Sequence, residues 1–236
     1  MNNTSRQSLQ AVFRARLSEF SSGSLGLTLI TISLAVLLFV IVPLREAGFT
    51  GRVFSYAITG TLMALGALAV SQSRIRPAFV LAFLLVTGAV LGAGRAHPTP
   101  FLHQLGSLLV TVTMLIYFRI VLLVMFRGGP VTWSRIQGGV CAYLLLGMAW
   151  ASAFQLLEQL RPGSFQFVTP PADIDQLTSK LIYFSFCTLT TIGSDIKPLH
   201  PFARSLTMSE AIVGQLFPAI FIGALVAMAM QSRTKS

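Results

Sequence analysis

The sequence predicts an all-α integral membrane protein, with six transmembrane helices and a re-entrant helix and loop between helices five and six. Three observations predict it. Of the 236 residues, 54% are hydrophobic and only 10% are charged, where soluble domains carry about 25% charge. The apolar residues gather in runs near the roughly 20 residues that cross a bilayer as a helix. One Thr-rich stretch, 185–195, separates the last two runs and is too polar to cross alone.

The net charge of +10 does not point to nucleic acid, because the Lys and Arg residues flank apolar runs and form no dense basic face. Cys141 and Cys187 sit in apolar surroundings without metal-ligand spacing, so both are expected to be free thiols.

Residues 1–24 are polar and basic and are expected on the cytoplasmic side. Leu9, Val12, Phe13, Leu17 and Phe20 share one helical face, opposite Gln7, Gln10, Arg14 and Ser18. That pattern suits a helix lying on the membrane surface, with a loosely ordered tail as the alternative. Span one covers 25–42 and stops at Pro43. It is too long for a signal h-region and no small-residue cleavage site follows, so it reads as a retained span. Span two covers 53–70. Span three covers 77–92, starts at Pro77 as a first helical turn allows, and carries Gly88 and Gly92 at helix-contact spacing. Spans four, five and six cover 105–126, 136–157 and 208–230.

Six spans place both termini on one side. With both inside, Arg6, Arg14, Arg16, Arg74, Arg76, Arg127, Arg135, Arg233 and Lys235 lie inside. They outnumber the outer Lys and Arg, most of which fall in the long loop before span six. Arg119 is the only charge within span four, whereas a voltage sensor needs arginine at every third position. By helical rise it lies about 11 Å from the cytoplasmic end, within snorkelling reach. The chain therefore divides into an N-terminal segment, 1–24, a four-helix region without a charged sensor, 25–126, and a last unit, 127–236.

Within that unit, Pro170-Pro171-Ala172-Asp173-Ile174-Asp175 marks a helix start. Proline suits the first turn, and Asp173 or Asp175 can accept the orphan amide hydrogens. The helix it predicts, Ile174–Leu189, is short. Tyr183, Phe184 and Phe186 give it bulk, and its negative dipole end faces the membrane centre, where a cation would lose water. Thr190-Thr191-Ile192-Gly193 follows, and then Asp195-Ile196-Lys197-Pro198.

This order resembles the filter loop of tetrameric potassium channels, where Thr-Thr-Val-Gly-Tyr-Gly-Asp precedes Ile-x-Pro and backbone carbonyls replace the ion's water shell. Ala203-Arg204-Ser205-Leu206, Glu210 and Gly214-Gln215 resemble the approach to the inner helix in bacterial six-helix members. Tyr143, Gly147 and Trp150 resemble their outer pore helix. The resemblance is specific over 184–226, and over the first four spans it is only a count of helices.

The departure is at Ser194, which stands where the family has Tyr-Gly. Either one residue is deleted, or Ser194 and Asp195 replace the pair; the Asp-Ile-x-Pro register favours deletion. Both alternatives remove an aromatic cuff and a glycine whose backbone freedom keeps the carbonyls aligned. Fewer carbonyls mean weaker selection, so strict potassium selectivity is not expected.

The resemblance implies a role for each loop residue. Thr191, through hydroxyl and carbonyl, and the carbonyls of Ile192 and Gly193 would hold a monovalent cation, potassium in the family. Thr190 would pack behind them and Asp195 would brace the outer mouth. Cys187 stands where some channels have a carboxylate, so that brace is expected to be missing. Plain helix-end capping is the competing account of Thr188, Thr190 and Thr191. Gly214 and Pro218 would form a gate hinge, or else fit the helix against its neighbours.

The function implied is the pore-forming subunit of a homotetrameric, potassium-type cation channel. It would sit in the plasma membrane as a multi-pass protein with both termini cytoplasmic. Its partners would be three further copies and the lipid bilayer, with no resident cofactor, nucleic acid or small-molecule substrate. The alternatives are a non-conducting channel relative and a secondary ion carrier, although the paired broken helices of carriers are not visible. No Ser-His, Cys-His or paired-carboxylate arrangement points to an enzyme.

Overall fold

The computed structural model describes residues 24–46, 60, 77–97, 99–126 and 133–234. Apart from Ser24 and Gly60, the N-terminal segment 1–24 and span two lie outside the described residues.

Helix α1 (Ser24–Val36) widens into one π-helical turn, Leu37–Ile41, and resumes as α2 (Val42–Glu46). The expected stop at Pro43 is therefore corrected. Proline lacks an N–H and its ring crowds the carbonyl four residues back. Here the turn before it is wider, with the Val42 N–H donating to the Leu37 carbonyl five residues back, and the chain continues helically past the proline.

Helix α3 (Pro77–Ala96) starts at its proline as expected and outlasts Gly92. Among the described residues, a Cβ at Gly88 or Gly92 would meet nothing within 4 Å. The glycine that does meet a neighbour is Gly94, whose Cβ would lie 3.5 Å from the Cβ of Leu102. Helices α4 (Pro100–Met125) and α5 (Trp133–Leu160) are both longer than their apolar runs. They form an antiparallel pair pinned where α4 starts and α5 ends, with Gln104 Nε2 donating to the Gln159 carbonyl (3.1 Å) and Ser107 Oγ to Gln159 Oε1 (3.0 Å).

The strand β1 (Phe165–Gln166), helix α6 (Ile174–Leu189), strand β2 (Lys197–Pro198) and helix α7 (Pro201–Thr234) complete the chain. The strands pair antiparallel, Phe165 opposite Pro198 and Gln166 opposite Lys197. The chain leaving the 190–196 loop thus returns beside the chain that entered α6. Helix and loop make an out-and-back excursion between α5 and α7.

Among the described residues, three helices are long and apolar enough to cross a membrane: Pro100–Leu123, Trp133–Leu160 and Pro201–Met230. Two shorter apolar helices, Ile30–Leu44 and Ala82–Gly94, stand where spans one and three were expected. Of the six expected spans, the described residues thus show three as membrane-length helices and two as shorter apolar ones, and span two lies outside them.

Among the described residues, two of the three apolar clusters position the loop and its helices. One joins α1, α4 and α5 through Leu34, Met114, Tyr117, Cys141 and Leu145. The other sits around α6, where Phe154, Phe165 and Phe184 meet edge to face at centroid distances of 5.1–5.5 Å. Such aromatic geometry adds about 1 kcal/mol per pair beyond area. Both cysteines are free and buried.

Candidate pore loop

The loop is built from the start of α6. Asp173 is its N-cap, with extended backbone (φ −147°, ψ 176°), and its Oδ1 accepts from the Gln176 N–H at 2.8 Å. Gln176 Oε1 in turn accepts from the Ala172 N–H at 3.0 Å, a variant of the reciprocal capping box. The expected bounds of this helix, Ile174–Leu189, are the observed ones.

At the other end, α6 closes in a Schellman arrangement. The Thr191 N–H donates to the Thr188 carbonyl (3.0 Å) and the Ile192 N–H to the Cys187 carbonyl (2.9 Å). This places Thr191 in the left-handed region at φ 58°, where a glycine is usual and a β-branched residue is strained by about 1–2 kcal/mol. Gly193 is also left-handed at φ 89°, at little cost for glycine. Thr190 Oγ1 donates to the Phe186 carbonyl at 2.6 Å. Capping therefore describes Thr190 and Thr191 locally, and the strained turn at Thr191 sets the direction in which the loop leaves.

Two helices support that turn from behind. From α5, Tyr143 Oη donates to the Leu189 carbonyl at 3.1 Å. A Cβ on Gly147 would fall 2.6 Å from the Phe186 ring, so only glycine admits the ring there. From α7, a Cβ on Gly214 would collide with the Leu189 carbonyl, and Gln215 Nε2 donates to Thr191 Oγ1 at 3.1 Å. One turn earlier on both helices, the wholly buried Glu210 and Ser185 meet, Ser185 Oγ to Glu210 Oε1, at 2.5 Å. Contacts 210–185 and 214–189 are each four residues on, so α6 and α7 run parallel and touch at successive turns.

The loop exit is also fixed. The Ile196 N–H donates to Ser194 Oγ at 3.1 Å, a serine turn, and Ser194 Oγ lies 3.3 Å from Asp195 Oδ1. Ile196 is buried in the aromatic cluster. The Leu199 N–H donates to the Ser164 carbonyl at 2.8 Å. Beneath that turn, Glu158 accepts from the Gly163 N–H (2.8 Å) and the Phe165 N–H (3.0 Å) through its two oxygens.

The structure thus brings Thr190, Thr191, Ile192, Gly193, Ser194 and Asp195 into one short loop. Thr190 to Gly193 and Asp195 are exposed in the single chain, Ile192 to 80%. Of the residues expected to give α6 its bulk, Tyr183 is half exposed, whereas Phe184 is buried. Helix α7 is unbroken through Pro218. Pro218 has no N–H for the carbonyl of Gly214 four residues back, so the two expected hinge residues are linked.

Sequence reasoning missed Tyr143, Glu158 and the Ser185–Glu210 pair as supports. For Ser185–Glu210 the one available signal was a carboxyl inside an apolar span. A carboxyl does lie against α6, and it comes from α7.

Residues 163–231 match the model of the family described as ion channel, a segment running from the turn before β1 through α6 and the loop into α7. No curated protein and no solved structure matches the chain. The matched segment contains the whole loop and its α7 supports, so this part of the chain is similar to ion channels.

Proposed function

We propose that four copies of this chain assemble around the 190–195 loop as the pore-forming subunits of a potassium-type cation channel in the plasma membrane, with both termini cytoplasmic. The observation that carries this is the exposure of Thr190 to Gly193 beside three membrane-length helices. The loop's N–H groups bond within the chain, but unpaired carbonyls facing lipid would each cost several kcal/mol, so such a loop persists only where protein covers it or water fills a cavity beside it. A ring of copies supplies both. Left-handed backbone at Thr191 and Gly193, with Ile192 between them outside that region, supports a loop whose successive carbonyls share one side.

In this account Thr191, Ile192 and Gly193 offer the ion oxygens, and Ser194 turns the chain out at once. The stack is shorter than one ending in Tyr-Gly, so potassium is preferred weakly over sodium. Helix α7 lines the inner path, with Gly214 and Pro218 as the place where it can bend.

The test is reconstitution in a planar bilayer with potassium on one side and sodium on the other. A cation current reversing between zero and the potassium equilibrium value is expected. A folded assembly that passes no ion under any applied voltage would favour a non-conducting relative, and coupled uphill transport would favour a carrier.

A further inference from the structure

Glu210 is fully buried at mid-depth of the α6–α7 contact, and the pore account assigns it no role. Its Oε1 lies 2.5 Å from Ser185 Oγ, and Ser185 Oγ lies 2.8 Å from the carbonyl oxygen of Gly147. Its Oε2 has no hydrogen-bond partner among the described residues. A serine hydroxyl has one proton to give. The Gly147 carbonyl can only accept. Both short contacts are hydrogen bonds only when the carboxyl gives the second proton: Glu210 to Ser185, and Ser185 to Gly147. A carboxylate would instead compete with the carbonyl for one proton, and its other oxygen would be a buried charge with no donor.

We propose that Glu210 is a neutral hydrogen-bond donor that ties α7 to α6 and α5 through Ser185, and thereby positions the pore loop. The chain of bonds crosses three helices one turn below Leu189, where Tyr143 and Gly214 hold the last turn of α6. Titratable groups on the elements packed here include Tyr143 on α5, bound to the Leu189 carbonyl, and Cys187 on α6, two residues beyond Ser185. Glu210 is a positioning residue in this account, since it does not touch the residues offered to the ion. The positioning role rests on the channel reading, and the donor assignment does not.

The experiment has two arms on the full-length protein in lipid. In the infrared arm, the wild type at neutral pH is expected to show the carbonyl stretch of a protonated carboxyl that Glu210→Gln lacks. Ser185→Ala is expected to shift that band to higher frequency. If the wild-type and Glu210→Gln spectra match in that region, the donor assignment falls, whether or not the protein conducts. In the current arm, Glu210→Gln, which keeps a neutral donor, is expected to hold the wild-type reversal potential, while Glu210→Leu shifts it toward zero. Equal shifts in both variants would overturn the positioning role. A wild type with the band but without current would overturn the channel reading and leave the donor assignment standing.

Discussion

Helices α5 and α7 are both long enough to cross a membrane, yet the single chain treats them in opposite ways. In α5, residues such as Cys141, Ala142, Leu145 and Phe154 are buried on several sides, by α1, α4 and α6. In α7, among the described residues, only Ala203, Glu210 and Gly214 are buried between Pro201 and Met230. The rest of its surface includes Ile212, Leu216, Ile220, Ile222 and Val226, all more than half exposed. The three buried positions form one narrow stripe, and that stripe faces α6 just behind the loop. Helix α5 is thus packed within the chain, whereas α7 meets α4, α5 and α6 along one side and leaves its other faces exposed in the single chain. Further copies and a water-filled path are what the proposed assembly supplies there.

The contrast is broken most severely at the stripe. Gly214→Val places branched carbon atoms against the Leu189 carbonyl. Overpacking against backbone that cannot move aside costs about 3 kcal/mol. Thermal unfolding in detergent should show a large drop, and the bilayer current should vanish. A variant with wild-type stability would mean that α7 does not rest on the loop.

On the α5 side, Glu158→Ala removes two acceptors from the turn that carries β1. Losing bonds to a charged group costs about 2 kcal/mol. Faster hydrogen exchange at Gly163 and Phe165 should accompany the loss, with exchange in α4 unchanged.

A finer cut is Tyr143→Phe, which deletes one bond to the Leu189 carbonyl. Hydrogen bonds between membrane helices average about 0.6 kcal/mol. Stability should hardly change, while the reversal potential should move, because the carbonyl at the base of the loop is no longer held. An unchanged reversal potential would assign Tyr143 to packing alone. The smallest effect belongs to Gly223→Ala, on the same helix as Gly214 but with nothing within 4 Å of the added carbon. It should stay within about 0.5 kcal/mol of wild type, and a large loss would show that a neighbouring copy packs against that position.

Legibility in the sequence followed the range of the interactions. Helix α6 was readable to the residue because its signals are local: a proline pair, an Asp cap and a Thr-Thr end. Spans four to six were readable from composition as three membrane-length helices, though proline misled at Pro43, where a widened turn carries the helix onward. The supports of the loop were not readable. Ser185 and Glu210 are 25 residues apart, and nothing in either neighbourhood names the other. Gly214 could be read as a flexible point, but only the packed structure shows that its missing side chain makes room for a carbonyl. A glycine has both uses, and sequence alone does not separate them.

The measurement that tests the account most directly is the number of copies in one particle, by native mass spectrometry of the protein released from lipid nanodiscs. The account predicts four, with the exposed face of α7 and the 190–195 loop covered or wetted within the ring. A folded particle of a single copy would contradict it, because the exposed carbonyls of Thr190 to Gly193 would then face lipid.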